Sequence, residues 1–84
     1  MNREELISNL KIIVKPYVQD GEALKSISEQ SDFIKDLKIN SANLIDIILD
    51  IEKEYDIEID NQSMEKMITV GAAIDIITAK LNKK

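Results

Sequence analysis

Cysteine, histidine and tryptophan are absent from these 84 residues, and proline occurs once, glycine twice, phenylalanine once and tyrosine twice. Without cysteine the chain can form neither a disulfide nor a thiolate metal site. Without histidine it lacks the usual general base and the commonest metal ligand, so self-contained enzymology is disfavoured. No apolar run approaches the roughly 18 residues that would span a bilayer, and the opening MNREELISNL has no apolar signal-peptide core. The chain is therefore expected to remain in the cytosol. An excess of basic residues is missing too: 11 Lys and Arg face 16 Asp and Glu, a net charge of −5. That balance argues against nucleic acid and anionic membranes as partners and favours proteins with basic surfaces. A calcium loop in DIEIDNQSMEKM also fails, because the turn position that needs glycine holds Asn61 and the bidentate Glu position holds Met67. No metal ligand set is expected.

What is present is helical periodicity. The length allows a single domain, residues 1–84, with one modest core. Its organising stretch is DLKINSANLIDIILDIEKEYD, residues 36–56. A helix is expected to begin at Ser41, whose hydroxyl can cap the first turn, with Asn40 as the alternative cap. At about 100° per residue, Leu44, Ile47, Ile48, Ile51 and Tyr55 share one arc, the core-facing stripe of an ordinary globular helix. Ala42, Ile45 and Leu49 fall on a second arc beside it, bordered by Asp46, Asp50 and Lys53. Either the bundle wraps far enough to bury this second arc, or it is an apolar strip edged with acid one turn from Ser41.

On the N-terminal side, Asn2 and Glu5 resemble a capping box, and Leu6, Leu10, Ile13 and Tyr17 recur at helical spacing from about Arg3. Pro16 removes a backbone donor and is expected to end this helix at Val14 to Lys15, with a kinked turn through Tyr17 as the alternative. From Val18 to Asn40, Asp20-Gly21 and a series of serines read as a long connection. A loop of that length needs pins, and Leu24, Ile27, Phe33, Ile34, Leu37 and Ile39 are the candidates. Single turns are expected near Glu22 and after Ser31.

On the C-terminal side, DIEID alternates like a strand but has no partner strand, so an extended linker with Ile57 and Ile59 inward is expected, then a short helix over 62–67. Thr69 can cap a last helix over 70–81, with Val70, Ala73, Ile74, Ile77 and Leu81 inward and Lys80, Lys83 and Lys84 complementing its C-terminal dipole. The expected fold class is all-α: a small four-helix bundle of three longer helices and one short one, with a long loop between the first two.

Phe33, Asp36-Leu37, Asn40-Ser41-Ala42, Asp46, the EKEYD closing the second helix, Glu58-Ile59 and TVGAAIDII from Thr69 keep one register from about Ile27 to Ile77. In that register the chain resembles the acyl carrier proteins and the related peptidyl carrier domains. The resemblance implies a 4′-phosphopantetheine group esterified to Ser41, whose terminal thiol carries acyl intermediates as thioesters in fatty-acid or polyketide-like biosynthesis, without catalytic activity of the chain's own. It implies as partners a phosphopantetheinyl transferase, which installs the group, and acyl-loading, condensing and tailoring enzymes with basic docking patches. The family docks these enzymes on its second helix, which corresponds here to Ala42, Ile45 and Leu49 for apolar contacts and to Asp46 and Glu52 for charged ones. Asp50 is added from its position alone, and a monomer is expected.

The chain departs from the family pattern at Asn40, in place of an acid, at Ala42, in place of a leucine, and at Lys38-Ile39, in place of small residues. Alternative readings are an aminoacyl or peptidyl carrier, or an unmodified acidic helical adaptor. An enzyme using Ser41 would have only Lys35 or Lys38 as a base.

Overall fold

The computed structural model describes residues 2–19 and 21–82. Helix α1 (Arg3–Val14) begins where Asn2, in extended backbone, accepts the Glu5 N–H at 2.8 Å, one half of the expected capping box. Beyond Val14 the chain tightens into a 3₁₀ turn, Lys15–Tyr17, with Pro16 at its start. A 3₁₀ turn is the natural continuation once proline cannot donate to the carbonyl four residues back. A short helix α2 (Gly21–Lys25) follows, and then an irregular run to Asn40. Helix α3 (Ser41–Tyr55) is the longest and ends at Asp56, which takes the left-handed conformation at φ 53°. Helix α4 (Asn61–Lys66) is capped by Asp60, whose side chain accepts the Ser63 N–H at 2.7 Å. Helix α5 (Val70–Asn82) is capped by Thr69, whose hydroxyl accepts the Ala72 N–H at 3.2 Å.

The all-α reading holds, with α2 as a fifth, short helix inside the long loop where the sequence suggests a single turn. Among the described residues the linker of residues 57–60 has no strand partner, and Ile57 and Ile59 turn inward. Asp20, Lys83 and Lys84 lie outside the described residues.

Helix α1 packs against both α3 and α5. The core takes Leu6, Leu10 and Val14 from α1, Ile47, Ile48, Ile51 and Tyr55 from α3, and Val70, Ala73, Ile74 and Ile77 from α5. Leu44 and Leu81, at the ends of their stripes, are half-buried against it. Each fully buried Leu, Ile or Val contributes about 1.5–3 kcal/mol, so these three stripes supply most of the drive to fold.

The long loop is pinned as expected at Phe33, Leu37 and Ile39, all buried, and partly at Leu24 and Ile27. Ile34 is a correction: it stays 46% exposed. The reason is the turn it occupies. Asp32 Oδ1 accepts the N–H groups of both Ile34 and Lys35 at 2.8 Å, which turns the chain so that Phe33 faces in and Ile34 faces out.

Backbone bonds to α5 complete the fastening. Phe33 N–H donates to the Ile68 carbonyl at 3.0 Å, and the first N–H groups of α5, on Val70 and Gly71, donate to the Ser31 and Glu29 carbonyls at 2.9 and 2.8 Å. The loop thus satisfies amide groups that a helix start leaves without intrahelical partners. Arg3 adds a second fastening on the surface. Its guanidinium donates to Glu29 and, at 2.9 Å, to Asp75, tying the start of α1 to the loop and to α5. These hydrogen bonds lower the Glu29 pKa and raise that of Arg3.

Candidate functional site

The site grows from the four residues that lead into α3. Leu37 and Ile39 are buried, and between them Lys38 is exposed with φ 58°, a left-handed conformation for a residue with a side chain. Two backbone bonds hold it there: Leu37 N–H donates to the Asp32 carbonyl and Ile39 N–H to the Phe33 carbonyl, each at 3.0 Å. The conformation is imposed by the two buried neighbours, since extended backbone at 38 would swing one of them out of the core.

Asn40 then caps the helix. Its side-chain oxygen accepts the Ala42 N–H at 2.9 Å and its carbonyl accepts the Asn43 N–H at the same distance. Of the two caps the sequence offers, the structure uses Asn40. Ser41 is consequently the first helical residue, exposed, with its hydroxyl released from capping. An anionic ester on that oxygen would lie beside the positive end of the α3 dipole, where negative charge is stabilised by roughly 0.3–1 kcal/mol. The serine therefore fits the attachment of a phosphate-linked group.

The second arc of α3 is uncovered. Ala42 is exposed, and Ile45 and Leu49 remain 56% and 46% exposed, so the bundle does not wrap around to bury them. The three acids predicted alongside this strip differ in their attachments. Asp46 is exposed. Asp50 is half-buried and receives the Tyr17 hydroxyl at 3.5 Å. Glu52 is half-buried, and its carboxylate accepts the Ile59 N–H at 2.8 Å, holding the linker to the flank of α3.

Tyr17 has no place in the predicted set. It lies 33 positions from Asp50, in the turn after Pro16, and its pKa is raised by burial first and by the charges of Asp50 and Asp46 next. Its helical spacing in the sequence marked it as apolar packing; only the hydroxyl hinted at a polar partner.

The family described as the phosphopantetheine attachment site matches residues 19–77, which include Ser41 and the whole of α3. The chain is 32% identical over 80 residues to the acyl carrier protein of Thermotoga maritima, covering 95% of this chain and 96% of that protein. It is 36% identical over 80 residues to the acyl carrier protein of a Picosynechococcus species, covering 95% of each. Among solved structures, the acyl carrier protein of Enterococcus faecalis superposes with a TM-score of 0.73 at 30% identity, over 95% of this chain and 99% of that one.

Proposed function

The chain belongs to the acyl carrier proteins, the phosphopantetheine-bearing carriers of acyl groups, and from that premise we propose that Ser41 is the residue that bears the arm. The observation that carries this reading is the division of labour at the start of α3, where Asn40 caps and Ser41 is left exposed as the first residue of the helix. When attached, the arm supplies a thiol that holds acyl groups as thioesters, a reactive sulfur this cysteine-free chain lacks. The serine supplies the ester oxygen and the helix end supplies a favourable field for the phosphate. Activation of the hydroxyl falls to the transferase, because the chain has no histidine of its own.

The partners that load and use the carrier are read as proteins with basic patches that settle on Ala42, Ile45 and Leu49, with Asp46 as the exposed charge steering their approach. Asp50 and Glu52 edge the same surface from anchored positions, so they contribute field more than adaptable contact. The working form is a monomeric single domain in the cytosol.

Co-expression with a broad-specificity phosphopantetheinyl transferase, followed by intact-mass measurement, tests the attachment. One phosphopantetheine group is expected on the wild-type chain and none on Ser41→Ala. A wild-type chain that stays unmodified with several transferases and coenzyme A present, or a Ser41→Ala chain that is still modified, overturns the assignment.

A further inference from the structure

Four charged side chains lie within six positions of Ser41: Lys35, Asp36, Lys38 and Asp46. Asp36 is committed to the loop, since its carboxylate accepts the Asp32 N–H at 2.7 Å. Asp46 lies a turn and a half along α3, away from the serine's end of the helix. Lys38 differs from both. It is exposed three residues before the serine, and it sits at φ 58° where few residues other than glycine, asparagine or aspartate are found.

Building on Ser41 as the attachment point, we propose that Lys38 is a positioning residue for the prosthetic arm, its ammonium pairing with the phosphodiester on the Ser41 oxygen. Three residues of chain separate their Cα atoms by at most about 10 Å, and Lys38 reaches across that gap on a flexible four-carbon stem. Ile39 faces the core, whereas Lys38, Asn40 and Ser41 are all exposed, so both ends of the proposed pair stand in solvent. The buried neighbours Leu37 and Ile39, held by the Asp32 and Phe33 carbonyls, fix the backbone from which the lysine projects. Asn40 is uncharged, so no carboxylate stands between Lys38 and Ser41 in the sequence. The pairing restrains the root of the arm against the loop that leads into α3.

The test compares melting temperatures of apo and holo protein for the wild type, Lys38→Gln and Lys35→Gln, at low and at high sodium chloride, with loading verified by intact mass. The quantity that reports the pairing is the holo-minus-apo difference, in which effects of a substitution on the fold itself cancel. In low salt that difference is expected to fall by about 2–4 °C in Lys38→Gln relative to wild type, to be unchanged in Lys35→Gln, and to lose its dependence on Lys38 at about 1 M salt. Equal differences in wild type and Lys38→Gln, or equal losses in both lysine variants, overturn the pairing while leaving Ser41 as the attachment residue. A wild-type chain that never gains the arm sinks the attachment and the pairing together.

Discussion

The N–H of Gly71 donates to the carbonyl oxygen of Glu29 at 2.8 Å, and a Cβ built on Gly71 would stand 2.9 Å from that same oxygen. Gly71 lies in the first turn of α5, where alanine ordinarily stabilises a helix by up to about 1 kcal/mol relative to glycine. Here the close approach reverses the sign. The obstacle is backbone, which cannot rotate away, so the loop must retreat from α5 and loosen the bonds at Val70 and Phe33 with it. Gly71→Ala is expected to destabilise by about 1–3 kcal/mol, read as a lower denaturant midpoint at unchanged slope; a midpoint at or above wild type contradicts the close approach.

A second sign reversal is expected at Lys38. Alanine usually outranks glycine, because glycine gives the unfolded chain more freedom. At φ 58° a Cβ costs roughly 1–2 kcal/mol that glycine does not incur. Lys38→Gly is therefore expected to be more stable than Lys38→Ala by about 1 kcal/mol in the apo protein. Chemical denaturation of the two variants side by side checks it.

At the start of α3 the cap, Asn40, and the proposed attachment residue, Ser41, are different residues. Because the Ala42 N–H is received by Asn40, Asn40→Ala is expected to cost about 1 kcal/mol. Ser41→Ala is expected to stay within about 0.5 kcal/mol of wild type while abolishing modification. If Ser41→Ala proves the more destabilising of the two, the serine is acting as the cap.

Among the acids of the strip, Asp46 and Glu52 are expected to respond oppositely. Asp46→Lys leaves the melting temperature near wild type and slows loading by the transferase in low salt, an effect that fades as salt screens the approach. Glu52→Ala removes the acceptor of the Ile59 N–H and is expected to cost about 1 kcal/mol of stability. Transferase kinetics and thermal melts on both variants decide this, and an Asp46→Lys chain loaded at the wild-type rate in low salt removes the strip as the transferase's landing place.

The Arg3 fastening carries a pH signature. The guanidinium lowers the Glu29 pKa below its ordinary 4.5, so the contribution is complete above that value and is lost as pH falls through the lowered pKa. The gap in melting temperature between wild type and Arg3→Gln is expected to be constant from about pH 6 to 8 and to close as pH falls below 4.5 through the lowered Glu29 pKa. A gap that persists unchanged into acid would mean the guanidinium works through packing instead.

Much of this fold is legible in the chain because its signals are local. Helical spacing places α1, α3 and α5, Asn2 and Thr69 mark two of their starts, and Pro16 marks the switch to a 3₁₀ turn. The register around Ser41 marks the serine proposed to bear the arm, because a serine at the head of an amphipathic run is a statement about neighbours in sequence. Ile34 escaped the same treatment, since its hydrophobicity is a local fact but its direction depends on how Asp32 turns the chain.

By itself the sequence determined the helices, the apolar stripe that faces inward, the serine and the family to which its surroundings belong, all of which follow from residue types within a few positions of one another. Only the tertiary structure decided that Asn40 rather than Ser41 caps α3, that Ile45 and Leu49 stay uncovered, that Glu52 and Asp50 are tied to Ile59 and Tyr17, and that Gly71 must have no side chain. The choice of cap is a matter of local backbone geometry that two adjacent cap-forming residues leave open; the others rest on where a distant segment comes to lie, and no periodicity records the distance between segments that meet only after the core has closed.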